Sequence, residues 1–343
     1  TFRIIFRTKR KFYLLIYLQL FSSISAIRAA SFYTRITNLC YNFDMTNKLS
    51  FDIPDYKKIR VIIDTDAACE ADDPFAISHA LMCRKLIVKG ITAEHFVEEG
   101  SVQKSLAEVN TILDAMDITD VKSYIGQTKP FSEYEKEELS PAAKFIIEEA
   151  NCKDDHPLFV LCIGATTNLA YALKAEPSIA EKMTVISIIG HNYSDPLPWR
   201  EFNAYNDIDA INYILESGVE FWQVPSDVYG SMLVSLAELE SKVLPYGKIG
   251  HHLFTQMVEY NMTERAAWTQ GESWALGDSP AVGIAMYPRC GKYVEREAQL
   301  FNHDELTSYG EKIPGRKIRV YESVDSHFIL EDFFAKLKLN FSK

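Results

Sequence analysis

Asp64, Asp66, Asp72 and Asp73 fall within ten positions of one another, in the stretch VIIDTDAACEADDPFAISHAL that runs from Val61 to Leu81. Asp64 follows three β-favouring residues, and Asp72 and Asp73 precede a run whose apolar residues recur at helical spacing. Carboxylates this close repel one another unless a cation or bound protons offset the charge. Oxygen donors in such number suit a hard cation, Ca²⁺ or Mg²⁺. A single acid at a helix N-terminus is explained by capping and by the helix dipole; four are not. Other polar residues stand where later strands should end: Glu94 and His95 after LIVKGITA, IGATTN from Ile163, and IIGHNY, which holds His191 and Asn192.

The elements that would position these groups alternate along the chain. IRVIID reads as a strand and DDPFAISHALMC as a helix; LIVKGITA and SVQKSLAEVNTILDAM repeat the pair, with Ser101 as the helix cap. VKSYIG with SPAAKFIIEEA, and LFVLCIGA with TTNLAYALKAE, repeat it again. MTVISIIG, DIDAINYILES and VEFWQV follow, then a long helical region from Ser235 to about Trp268 and a helix from Ser279 to Tyr287. The chain closes with the strand KIRVYE and the helix SHFILEDFFAKLKL, for which Ser326 is a candidate cap. Alternation of this kind implies an α/β fold, a mainly parallel open sheet covered by helices on both faces. In such sheets ligands bind outside the carboxyl ends of the strands, where all the acids named above would meet.

Residues 51–343 read as a single domain, and residues 1–50 as something apart. The first fifty hold eight Lys and Arg against Asp44 alone, a charge of +7. The total of −11 therefore leaves −18 on the remainder. RTKRKFYLLIYLQLFSSISAIRAA has the basic and apolar pattern of a secretory signal. The alternative, which we favour, starts the protein at Met45 and places it in the cytoplasm, with secretion as the other option. The apolar stretch is too short and interrupted to span a membrane, so no stable membrane association is expected. The acidic body would repel a phosphate backbone, which argues against nucleic acid and for a small-molecule substrate. Five cysteines after the leader form neither a CxxC pair nor a metal-type spacing, weak support for a reducing compartment. A homo-oligomer is compatible with the sequence.

Four segments in register resemble the nucleoside hydrolase family, of the inosine/uridine-preferring type. IIDTDAACEADDPFAI is similar to its N-terminal fingerprint, VLCIGATTNLAYAL to its glycine-containing strand and helix start, EFNAYNDIDAINYIL to its Glu-Phe-Asn segment, and WALGDSPAVGIAMY to its late Asp-Pro helix start. The resemblance implies hydrolysis of the N-glycosidic bond of ribonucleosides, releasing base and ribose for salvage in purine and pyrimidine metabolism. It implies a Ca²⁺ ion held by Asp66, Asp73, Asp278 and the Ile163 carbonyl. Asp66 would also be the base that takes a proton from water, with Asp64 in support. Asp72, Glu201 and Asn203 would bind the sugar, aided by Asn192 and, at the rim, His95. Carboxylates suit the task, because bond cleavage builds positive charge on the ribose.

The chain also departs from that family. Ala67 to Ala71 form a longer loop than the usual Pro-Gly turn, and Glu70 adds an acid to it. AEHF stands where a ribose-binding Asn is expected nearby. Gly277 occupies the place of a His that protonates the leaving base in many members. His191, His95 or Tyr229 would then donate that proton, or Trp274 would stack on the base; an enzyme restricted to activated ribosides would need neither. Two other readings bear on the missing acid and on the Asp64-Thr-Asp66 motif. One is a non-catalytic nucleoside- or sugar-binding relative. The other is a phosphohydrolase of the haloacid-dehalogenase type, which Ala68 and the placement of Asp72 and Asp73 disfavour.

Overall fold

The computed structural model describes residues 48–134, 139–194, 196 and 198–342. The leader read at residues 1–50, including Met45, lies outside these residues except for 48–50. The strands are β1 (Ile59–Thr65), β2 (Leu86–Ala93), β3 (Ser123–Tyr124), β4 (Leu158–Cys162), β5 (Met183–Ile188), β6 (Glu220–Val224), β7 (Leu233–Ser235), β8 (Ser273–Ala275), β9 (Gly291–Phe301) and β10 (Tyr309–Val324). The helices are α1 (Asp73–Met82), α2 (Ser101–Ala115), α3 (Pro141–Ala150), α4 (Thr167–Ala175), α5 (Phe202–Asn206), α6 (Ile208–Glu216), α7 (Ser226–Tyr229), α8 (Leu236–Lys242), α9 (Gly247–Asn261), α10 (Ser279–Met286) and α11 (Ser326–Phe341).

Eight strands form one sheet in the order β3-β2-β1-β4-β5-β6-β10-β9, parallel throughout except for the last pair. Every residue of β1 is buried, as expected for a central strand covered on both faces. Its side chains alternate between the two apolar layers. Val61 and Ile63 pack with Phe75 of α1, Val282 of α10 and Phe333 of α11, while Ile62 packs with Ile146 of α3, Leu169 of α4 and Ile211 of α6. From β1 the chain winds one way through β2 and β3, then returns to β4 and winds the other way. The crevice between the carboxyl ends of β1 and β4 is therefore a topological switch point, where such folds bind ligands.

The structure corrects several details of the sequence reading. VKSYIG contributes only Ser123 and Tyr124 as strand. The region from Ser235 is not one helix: α8 ends before Pro245, which cannot continue a helix and disfavours it at the preceding residue, and α9 starts at Gly247 in the left-handed region, φ +67°. Gly100, not Ser101, is the cap of α2, because the Ser101 hydroxyl donates instead to the Phe96 carbonyl. Asp325, not Ser326, caps α11 through the Phe328 N–H at 2.9 Å. KIRVYE is the inner part of a long hairpin, β9 with β10, whose first strand the sequence reading missed.

Candidate functional site

A cavity of about 670 Å³ opens at the switch point, and Asp66, Asp72, Asp73 and Asp278 line it. Asp72 and Asp278 occupy the cap positions of α1 and α10, yet neither side chain makes a capping hydrogen bond. Their carboxylates gather with that of Asp73 instead: the three offer oxygens within 4.8 Å of one another, and all three are buried. Thr65 donates its hydroxyl to Asp73, and the backbone N–H groups of Gly277 and Asp278 donate to Asp72. Among the described residues, no lysine or arginine pairs with any of these acids.

Burial and mutual repulsion determine the protonation of the cluster. Desolvation, then the charges of Asp73 and Glu70, hold Asp66 well above the ordinary carboxylate range. Desolvation and Asp72 raise Asp73 to about 8 and also push Asp278 up. Asp72 rises to about 6 through burial, and Glu70 to about 8 through burial and its neighbours' charges. Negative charge that must take up protons in isolation is what a divalent cation would neutralise. The all-oxygen, buried donor set fits a hard cation and offers no soft ligand.

Asp66 stands beside this trio rather than within it. A Cβ added at Gly164 would lie 2.5 Å from its Oδ1, so the glycine is what admits the carboxylate against the loop that follows β4. Ile163 of that loop lines the cavity as well. The sequence reading put Asp66 in the ligand set and Asp72 on the sugar; the tightest cluster instead holds Asp72.

Asp64 lies deeper. It is fully buried and accepts from Thr92 Oγ1 at 2.6 Å and Asn168 Nδ2 at 3.0 Å. Burial raises both Asp64 and the equally buried Glu94, and the charge of Asp64 pushes Glu94 further up. Asn168 joins the pair to the chain: it also donates to the Ala93 carbonyl at 3.0 Å and accepts from Gln127 N–H at 2.7 Å. The sequence reading noted the Thr-Asn at the helix start in GATTN but gave Asn168 no role.

Glu201 and Asn203, which the family resemblance implies for the sugar, also line the cavity. Glu201 caps α5 through Ala204 N–H at 2.9 Å and accepts from Tyr229 Oη at 3.2 Å; Asn203 donates to the Ile188 carbonyl at 2.9 Å. Burial raises Glu201. At Gly277 an added Cβ would meet Tyr229 Cδ2 at 3.2 Å and Asp72 Oδ2 at 3.3 Å. The Tyr229 ring thus takes up the space into which a side chain at 277 would grow. Tyr229 and Gly277 both line the cavity.

Besides Asp64, four expected site residues lie off the cavity wall. His191 is buried, with Nδ1 2.9 Å from Ser226 Oγ and Nε2 2.6 Å from the Trp199 carbonyl. Asn192 donates to Asp227 at 2.6 Å. His95 Nε2 is 2.8 Å from Thr167 Oγ1. Trp274 is only 2% exposed, packed edge-on between Tyr260 and Trp268. The indoles that do line the cavity are Trp199 and Trp268, each 56% exposed, together with Arg200. Trp268 rests on Trp274, so the sequence reading chose the inner member of that pair. β8 pairs Trp274 with Val234 and turns it inward, a register that sequence alone does not display.

An acid-lined cavity at the switch point of a doubly wound sheet, with buried oxygen donors that suit a hard cation, marks a small-molecule ligand site. A family model described as inosine-uridine preferring nucleoside hydrolase matches residues 61–329, and the chain belongs to that family of N-glycosyl hydrolases. The pyrimidine-specific ribonucleoside hydrolase RihA of Escherichia coli is 23% identical over 231 residues, 60% of this chain and 73% of that protein. An uncharacterized protein of Schizosaccharomyces pombe is 26% identical over 197 residues, 50% of this chain and 62% of its own length. Among solved structures, a plant nucleoside hydrolase, PpNRh1, superposes with a TM-score of 0.67 at 20% identity, covering 82% of this chain and 99% of that one. The purine-preferring ribonucleoside hydrolase from Gardnerella vaginalis gives 0.66 at 23%, with the same coverage. Among the described residues, no helix is long and apolar enough to cross a membrane.

Proposed function

We propose that the protein hydrolyses the N-glycosidic bond of ribonucleosides with Ca²⁺ as its ion, and that the buried carboxylate cluster without a cationic partner is the observation that carries this reading. Asp73 and Asp278 hold the ion, with Asp66 and the Ile163 carbonyl on the adjoining wall. When bound, the cation makes nearby water more acidic and attracts the sugar hydroxyls. Asp66 takes the proton of the attacking water. Asp72, fixed by two backbone N–H groups, binds a sugar hydroxyl, and Glu201 and Asn203 hold the sugar from across the cavity. The carboxylates of Asp72 and Glu201 stabilise the positive charge that develops on the ribose. With the space at Gly277 filled by Tyr229, the departing base rests against Trp268 and Tyr229.

A cytoplasmic setting belongs to the same proposal. All five described cysteines are unpaired, which suits a reducing compartment. The test is base release from purine, pyrimidine and nicotinamide ribosides by the purified protein, with and without chelator. Release that stops on chelation and returns with Ca²⁺ is the expected result. No release from any riboside by the Ca²⁺-loaded protein would overturn the reading.

A further inference from the structure

At the far end of α1 from the acid cluster, four side chains meet below the surface. His79 Nε2 is 2.8 Å from Asp332 Oδ2, and Lys336 pairs with the same carboxylate oxygen. Lys336 Nζ lies 3.1 Å from Cys83 Sγ, which is 3.3 Å from Met286 Sδ. His79, Cys83 and Lys336 are all buried, whereas the Asp332 side chain keeps 26% of its surface and opens the group to small solutes. Imidazole, thiol and carboxylate at this spacing would suit a borderline-soft metal ion. The Lys336 ammonium already lies against the sulfur and the carboxylate, however, and is itself the cation these donors hold.

What this arrangement favours is an anionic sulfur. Burial alone would raise the Cys83 thiol, but His79 and Lys336 draw it below its ordinary value. The other four described cysteines are all shifted the opposite way. Thiolate character selects which cysteine reacts with peroxides, and the nearest nucleophile to the oxidised sulfur would be the Lys336 amine.

We propose that Cys83 and Lys336 form an oxidation-dependent covalent link, a modification site separate from the acid-lined cavity. The Cys83 thiolate attacks one oxygen of hydrogen peroxide and the O–O bond breaks. Sulfur is oxidised to the sulfenic acid, and the other oxygen leaves as water. The Lys336 ammonium, paired with Asp332, supplies the proton that turns this leaving oxygen into water and so becomes the free amine. The free amine attacks sulfur, an S–N bond forms, the S–O bond breaks, and the hydroxyl departs with a proton as a second water. One thiol, one amine and one peroxide thus give a sulfenamide and two waters. The link ties the C-terminal end of α1 to α11.

The test treats the full chain with hydrogen peroxide, alkylates remaining thiols under denaturing conditions and maps the digest by mass spectrometry. The expected product is a peptide pair joined through Cys83 and Lys336, two hydrogens lighter than the sum of its parts and separated by a dithiol reductant. In Lys336→Met no joined pair appears and Cys83 proceeds to the sulfinic acid. Lys336→Arg, which keeps the charge but not the primary amine, gives the same result and serves if the methionine variant does not fold. Recovery of Cys83 as an alkylated thiol, or as the sulfinic acid in equal amounts with and without Lys336, would overturn the proposal.

Discussion

The two ends of α1 bury ionisable groups in opposite ways. At its N-terminal end Asp72 and Asp73 meet Asp278 with no cationic side chain among the described residues paired to them, and all three carboxyls are pushed upward. At its C-terminal end His79 and Cys83 meet Asp332 and Lys336, and the Asp332 carboxyl is held low: burial opposes this, but His79 and Lys336 outweigh it. Both clusters lie in the same protein interior, so burial alone cannot account for the difference. The second cluster carries its own counter-charge; the first finds none among the described residues. Uncompensated charge in a cavity is therefore the mark of the ligand site.

The largest effect expected from breaking the first cluster is chemical. Asp66→Asn keeps the shape of the side chain but cannot take up the proton of water, so turnover should fall roughly 100- to 10,000-fold while riboside affinity changes little. Steady-state rates and equilibrium binding of a slow substrate check the two parts separately. Near-wild-type turnover would move the base to another residue.

The pH dependence of stability sharpens the comparison. In the ion-free protein, Asp73 and Glu70 titrate near 8 and Asp72 near 6, above their ordinary values of 3.8 and 4.5. Folding therefore retains protons that the unfolded chain has released. That stabilisation is complete below the ordinary values and is lost as pH rises through the folded ones. Melting temperature in chelator should decline between about pH 5 and 8, and Ca²⁺ should flatten the decline. Asp332 has the opposite sign: its contribution is present above the ordinary carboxylate value and is lost only as pH falls below it.

How the sequence announced these regions follows from the range of each signal. Asp72 and Asp73 were legible because a strand, a turn and a helix start are local patterns. Asp278 was reached only through the resemblance of WALGDSPAVGIAMY to a family segment, since nothing local ties it to the first strand. The proximity of Tyr229 to Gly277 was not, because it depends on two loops brought together by the sheet. β9 escaped notice because its exposed, mixed-charge sequence KYVEREAQ carries no buried-strand pattern on the sheet's edge. The break between α8 and α9 had a local sign in Pro245, which the apolar spacing on either side concealed.

The smallest predicted effect separates the stacked indoles. Trp268→Ala should slow inosine hydrolysis about tenfold and 4-nitrophenyl riboside hydrolysis much less, as expected if the ring eases departure of the base. Trp274→Ala should instead cost about 3 kcal/mol of stability, since it empties a buried site. Equal losses on both substrates in Trp268→Ala would restrict that residue to shaping the cavity.

Calorimetric titration of the ion-free protein with Ca²⁺ near pH 7, repeated in buffers of different ionisation enthalpy, tests the uncompensated cluster most directly. The account predicts one ion per chain and net proton release on binding, because the cluster holds protons that the cation displaces. Asp73→Ala should abolish both. Absence of binding, binding without proton release, or a full complement of calcium in Asp73→Ala would contradict it.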